Sequence, residues 1–527
     1  MMIKVGVQQQ KYKHMKLNIL KLLSMAALVC GCSYDFPEAD SSTLPTAGEA
    51  DFAKYISIGN SLTAGYMDGA LYARGQSNSF PSILAKQFAL VGGGEFNQPT
   101  VNSETGCYDI TGGCSKGRLY FAYDSDGDAT IVNKTGDGGA SLAPYSGSKT
   151  ALNNFGVPGL TIQAALAPQT GDNTSQFFNP YYARFASNPG TSTPIGDASA
   201  ALANGGTFFS FWLGNNDAIL YAINGGDPAK ATLTSVVNFQ AAFNAGLTTV
   251  LDASATAKGI VGNIPDVTSI AYFHTVGWNV VEFEAGDPVA EGTIQLLNSN
   301  FAGFNAALDA TVAYLGHNAA DAARRKVSYS TGANPILIAD ESLTDLSAEF
   351  DMLRAANAIN DQQRAALTPY VQARPATADD LITLSASSVI GTGVGGSSTI
   401  IYGVSYPLPD MYVLVPSEIE EIKERVDTFN DIIEAGVAAH SDRLALVDAY
   451  SIFKDLKTNG ASINGIGLNA TLQPPYAFFS ADGIHPNGRG AAYMANKMIT
   501  IINTKFNARV PLTNPNDYPG NDLPATN

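Results

Sequence analysis

The sequence predicts an α/β protein with an open sheet. Strand-like and helix-like stretches alternate along it, and no repeat with a period of about 20 to 50 residues competes with that pattern. "TFFSFWLGNND", Thr207 to Asp217, is an apolar run bounded by turn residues, as in a strand buried on both faces. "KYISIGNSLTAG", Lys54 to Gly65, is an apolar run that ends in glycine and then presents one serine.

The elements follow in order. "YISIG" is the first strand, and "SNSFPSILAKQFAL" follows it as a helix. "TFFSFW" is a buried strand, "VNFQAAFNAGLTTVLDAS" a helix by its apolar spacing, and "KGIVGNIPDV" the next strand. "PSEIEEIKERVDTFNDIIEAG" carries Ser417 and Glu420 at capping-box spacing, with Ile419, Ile422, Val426, Phe429 and Ile433 along one face. "LALVDAY" is the last strand and "GRGAAYMANKMITIINTKF" the last helix. Two stretches break the alternation and read as insertions, 95–150 and 317–410, within a domain expected over 51–505. The tail, 506–527, is expected to be loosely ordered.

Composition excludes some functions. The 527 residues hold 30 Lys and Arg against 47 Asp and Glu, a net charge of −17. Nucleic acid and anionic membrane surfaces are disfavoured as ligands, because phosphates are bound by clustered cations. Arg324, Arg325 and Lys326 make only a short run, read as a solvated helix end.

The N-terminus reads as a targeting segment. Lys16 and Lys21 precede "LLSMAALVCGC", too short an apolar stretch to span a bilayer. It resembles a bacterial lipoprotein signal peptide over 1–32, which implies that Cys32 is lipidated and that the protein is anchored in the cell envelope. A plain secretory peptide with two incidental cysteines is the other reading. Residues 33–50 are polar and proline-containing, a tether. Cys107 and Cys114, in "CYDITGGC", are expected to form a local disulfide, since an exported protein can keep them oxidised and no histidine is near to complete a metal site.

The chemistry starts from Ser61. A strand ending in glycine, followed by serine and a helix, puts that serine at the carboxyl edge of the sheet, where open α/β sheets place their ligand crevice. A serine hydroxyl is a poor nucleophile unless a base takes its proton. "SADGIHPNGRG" supplies Asp482 and His485, three residues apart, so that the carboxylate can hold one imidazole nitrogen and leave the other as base. "NFGVPGLT" supplies Gly159, whose backbone N–H can approach a reacting oxygen closely, and "LGNND" supplies the Asn216 amide. Ser61, Gly159 and Asn216 together offer two main-chain donors and one side-chain donor, the makings of an oxyanion hole.

In this order the four blocks "GNSLTAG", "NFGVPG", "GNND" and "DGIHP" resemble those of the SGNH hydrolases, also called the GDSL lipase/esterase family. "GNIPDVTSI" also resembles a proline segment that many members carry. The resemblance implies a nucleophile at Ser61, oxyanion donors at Gly159 and Asn216, and a base pair at His485 and Asp482. It further implies a flavodoxin-like three-layer α/β/α sandwich with a mostly parallel, about five-stranded sheet, and no metal or other cofactor. The sequence departs from the family at Asn60, where the family name has aspartate before the serine.

Other features have plainer readings. "FFSFW" is read as core rather than a carbohydrate platform. His274 could line the crevice, but a satisfied structural histidine accounts for it as well. "DSDGDATIVNKTGD" has the look of a calcium loop, yet Ala129 stands where an EF-hand needs glycine and the closing glutamate is missing, so it is read as a solvated turn. Two functional classes follow: a lipid-anchored ester hydrolase, or a non-catalytic surface lipoprotein that binds a glycan or other ligand on the same fold. Short acyl esters, acetylated glycans and lipids are all compatible substrates.

Overall fold

In the computed structural model, which describes residues 44–110, 113–123, 125 and 129–522, the apolar runs line up as one sheet. The main elements in chain order are β1 (Tyr55–Gly59), α1 (Phe80–Phe88), β2 (Lys116–Tyr123), β3 (Ala129–Thr135), β4 (Asn154–Gly156), α2 (Pro194–Ala203), β5 (Phe208–Trp212), α3 (Val236–Ala253), β6 (Lys258–Gly262), α4 (Pro288–Leu315), α5 (Pro416–Ala439), β7 (Leu444–Val447) and α6 (Gly488–Lys505). Five strands pair in the order β7-β6-β5-β1-β4, every pair parallel. The central strands β1 and β5 are buried at every residue, as their uninterrupted apolar sequences require.

Side chains on β5 alternate between two helical layers. Phe208 packs edge-on against Phe88, and Trp212 against Phe80, both on α1, with α6 packed beside it. Phe211 turns the other way onto Phe243 of α3, and Phe239 of the same helix stacks on Phe429 of α5 at 3.8 Å. Truncating the fully buried Phe211 to alanine is expected to cost about 3–5 kcal/mol, transfer and cavity terms together.

Three local expectations are corrected. Helix α5 begins at Pro416, and its first-turn partner is Glu418, whose Oε2 accepts from the Val415 N–H at 2.9 Å, rather than a Ser417–Glu420 box. Proline pre-sets the first helical φ, so the helix starts two residues earlier than a Ser417 cap implies. The second insertion has its own hydrophobic core, which takes in Val281 and the α4 residues Leu297, Phe301 and Phe304 and ends at Val415, so it starts well before residue 317. Residues 506–522 are pinned rather than loose: Asn496 and Asn503 of α6 bond the tail backbone at Thr513 and Val510, and Arg509 pairs with Thr46. The first insertion carries the β2–β3 hairpin. The stretch read as a signal peptide, Cys32 and the stretch read as a tether, up to residue 43, lie outside the described residues.

Candidate active site

Ser61 begins a one-turn helix, Ser61–Ala64, directly after β1. The strand's last residue must be glycine: a Cβ on Gly59 would stand 2.0 Å from Thr63 Oγ1 and 2.8 Å from the Trp212 carbonyl oxygen. Asn60 caps the turn, its Oδ1 accepting from the Leu62 N–H at 3.1 Å. That is the backbone role an aspartate would fill, so the departure from the family pattern leaves this turn intact.

The expected base and acid meet the serine. Ser61 Oγ lies 2.8 Å from His485 Nε2, and His485 Nδ1 lies 2.9 Å from Asp482 Oδ2. The D-x-x-H spacing works because the loop curls on itself: Asp482 Oδ1 accepts from the N–H groups of Ile484 and His485, both at 2.9 Å. Asp482 Oδ2 also accepts from the Gly69 N–H at 2.8 Å. Burial acts to raise the Asp482 carboxyl, but the adjacent His485 and these backbone donors hold it below the ordinary carboxylate range. The acid is therefore kept as an anion, the form that orients the imidazole.

The oxyanion candidates stand beside them. Gly159 has φ +75°, a left-handed conformation that favours glycine, and no atom lies within 4 Å of where a Cβ would be, so the space beside its backbone is open. Asn216 heads the short helix Asn216–Ala222 and donates one amide hydrogen to the Leu160 carbonyl at 2.9 Å, leaving its second hydrogen uncommitted among the hydrogen bonds formed. Its neighbour Asp217, which the sequence reading passed over, accepts from the Ile162 N–H at 2.9 Å and from Thr234 Oγ1 at 3.1 Å. Burial pushes the Asp217 carboxyl up to about 7. The two residues together hold the backbone that follows Gly159, at Leu160 and Ile162.

All five predicted residues, Ser61, Gly159, Asn216, Asp482 and His485, line one cleft of about 950 Å³. Its walls are largely apolar. Ile219, Ile223 and Phe453 come from the sheet domain, Leu119 and Ile131 from the β2–β3 hairpin, and Leu384 from the second insertion. Both insertions therefore shape the cleft. Cys107 and Cys114 are disulfide-bonded, and between them Tyr108 and Ile110 also face the cleft.

His274 is not part of this lining. Its Nε2 lies 3.0 Å from the Thr268 carbonyl oxygen and 3.1 Å from Lys457 Nζ. Of the calcium-like stretch, Asp124, Asp126 and Asp128 lie outside the described residues. Among the described residues, Glu341, Asp410 and Glu418 are the group that could hold a metal ion, with ligand atoms within 4.8 Å of one another. Burial, and then the neighbouring Glu341, raise both Asp410 and Glu418. None of the three lines the cleft. "FFSFW" is core, as expected. No protein-family model matches the chain, and no curated protein matches it.

Proposed function

We propose that this protein is a serine ester hydrolase of the SGNH type that works through an acyl-Ser61 intermediate. The observation that carries the reading is the continuous chain from Ser61 Oγ through His485 to Asp482, opening onto an apolar cleft. Ser61 Oγ attacks the ester carbonyl carbon while its proton passes to His485 Nε2. The carbonyl oxygen becomes an oxyanion, met by the N–H groups of Ser61 and Gly159 and the Asn216 amide. The C–O bond to the alcohol then breaks, and the leaving oxygen takes the proton from His485. Water repeats the sequence: its proton goes to His485, its oxygen bonds the acyl carbon, and the acid departs as Ser61 Oγ regains a proton. Apart from the ester and the water, every role in these steps falls to a protein group.

The cleft walls favour esters with a sizeable apolar portion over acetyl groups on a polar glycan, because transfer of apolar surface out of water is the main source of binding such walls offer. On the same reading, the sheet with its two helical layers is a flavodoxin-like sandwich. The N-terminal segment is a lipoprotein signal that leaves Cys32 as the membrane anchor in a bacterial cell envelope. The test compares wild type with Ser61→Ala. A fluorophosphonate probe labels the wild type alone, and hydrolysis of a p-nitrophenyl ester falls to background in the variant. Equal, background rates in both proteins would favour the ligand-binding lipoprotein instead.

A further inference from the structure

We propose that Asp68 is a positioning residue: with Arg118 of the inserted hairpin, it fixes the turn whose Gly69 N–H holds the Asp482 carboxylate toward His485. The proposal rests on the hydrolase reading above and assigns the first insertion a part in it.

The backbone is the first support. Asp68 has φ +55°, a left-handed conformation that side chains other than glycine adopt at a cost, asparagine and aspartate least. The turn this creates aims two consecutive N–H groups at the 480–482 loop. Asp68 N donates to Ser480 Oγ at 2.8 Å, and Gly69 N donates to Asp482 Oδ2 at the same distance. Over 400 residues of chain separate the turn from the loop it grips.

The carboxylate is the second. Asp68 is 8% exposed and Arg118 6%, so both charges are out of water. Asp68 Oδ1 accepts from the Ala481 N–H at 3.0 Å. Oδ2 accepts from the Tyr72 hydroxyl at 2.7 Å and faces Arg118 Nη1 at 3.5 Å. Its partners are donors, which is the environment of an ionised carboxyl. Burial raises this carboxyl, and the Tyr72 and Ala481 hydrogen bonds work against the rise. Tyr72, Arg118 and Asp482 are titratable groups that act on it, while Arg74 and its ion-pair partner Asp522 line the same small cavity and Lys134 feels its charge from the hairpin.

The hairpin completes the brace. Leu119 N donates to the Asp68 carbonyl at 2.8 Å, and the Arg118 guanidinium lies over the Tyr72 ring at 4.9 Å. A turn alone would be served by a neutral residue at far lower desolvation cost. A buried anion beside Asp482 does something more. It favours the imidazolium that His485 becomes while it carries the serine proton, and it locks the orientation of the acid that faces that ring.

The experiment uses the purified wild type, Asp68→Asn, Arg118→Lys and Arg118→Met. Asparagine keeps the left-handed turn accessible and removes the charge. For each protein, kcat and KM on one p-nitrophenyl ester are measured from pH 5 to 9, normalised to sites labelled by the fluorophosphonate. Asp68→Asn is expected to lose about 10- to 100-fold in kcat per labelled site. KM stays unchanged, since Asp68 does not line the cleft, and the acid limb of the profile moves to lower pH. Arg118→Lys retains more of kcat than Arg118→Met. A merely structural role would lower the melting temperature and the labelled fraction, with kcat per site and the acid limb as in wild type, and that result would overturn the proposal. The downfield proton on His485 Nδ1, titrated by NMR in wild type and Asp68→Asn, separates the two readings. A shifted midpoint in a protein that turns over no ester would sink the hydrolase and keep the brace, and an unshifted midpoint would sink the brace.

Discussion

Asn216 donates an amide hydrogen to the Leu160 carbonyl at 2.9 Å, so the side chain offered to the oxyanion also grips the loop that presents Gly159. On the proposed mechanism, one residue supplies one donor and steadies another. Asn216→Ala should therefore lose at least the 10²–10³ in kcat, about 2.7–4 kcal/mol, typical of one oxyanion donor. Its KM should change little, because the oxyanion exists only past the ground state. Slow labelling by a fluorophosphonate should persist, since Ser61 and His485 remain; kinetics indistinguishable from wild type would remove Asn216 from the oxyanion hole.

Substrate length gives a second test. If the acyl chain lies along walls such as Leu119, Ile131 and Ile219, each added methylene is worth roughly 0.8 kcal/mol, or about fourfold in kcat/KM. A p-nitrophenyl series from acetate to octanoate should climb accordingly. A maximum at acetate, with acetylated xylan hydrolysed faster than any member of the series, would assign the cleft to glycan esters.

The disulfide makes a third. Cys107–Cys114 closes a short loop, and in a chain-entropy account such a crosslink contributes about 2–3 kcal/mol. Because Tyr108 and Ile110 sit on that loop and face the cleft, the Cys107→Ser/Cys114→Ser double variant should raise KM for octanoate more than for acetate. Its melting temperature should fall. Unchanged KM for both esters would detach the loop from substrate binding.

Buried carboxyls predict a pH-dependent stability. Asp217 is held protonated by burial up to about pH 7, whereas in the unfolded chain it ionises near pH 4. Its contribution is fully present below the unfolded value and is lost as pH rises to about 7, because the unfolded state gives up its proton first. Asp410 and Glu418, raised by burial and by Glu341, act in the same direction. Chemical denaturation should show stability falling from about pH 4 upward, with the Asp217 share spent near pH 7 and that of Asp410 and Glu418 near pH 9, and Asp217→Asn should flatten the slope below pH 7. An equally steep slope in the variant would exclude Asp217 as its source.

Metal removal should leave turnover intact, because the proposed steps draw on Ser61, His485, Asp482 and backbone donors. Activity is measured before and after EDTA. Loss restored by calcium would direct attention to Glu341, Asp410 and Glu418, or to the Asp124–Asp128 stretch.

The sequence and the structure agree best where chemistry imposes short spacing. Asp482 and His485 stand on one turn, and Ser61 follows its strand directly, so three residues of the site were legible from local pattern. Gly159 and Asn216 were legible through their own turns and meet in the same cleft. What escaped was contact across long stretches of chain. "MDGA" announces only an Asp-Gly turn, and nothing local says that its N–H groups reach residues 480 and 482. Asp217 was hidden similarly, as its partners Ile162 and Thr234 lie on other segments. The tail misled for the opposite reason: its Pro- and Asn-rich composition reads as loose chain, while Asn side chains of α6 supply the backbone partners it lacks.

Ser61 and His485, its proposed base, are 424 residues apart. At a synthesis rate of roughly 5–20 residues per second, tens of seconds separate their appearance during translation. Throughout that interval the hydroxyl has no base and is as unreactive as any other alcohol. A product that stops short of residue 482 could still carry β1, β5 and β6, yet it would be chemically mute. On the proposed mechanism, ester cleavage would then report that the chain has been made at least through His485 and that the 482–485 turn has folded onto Ser61.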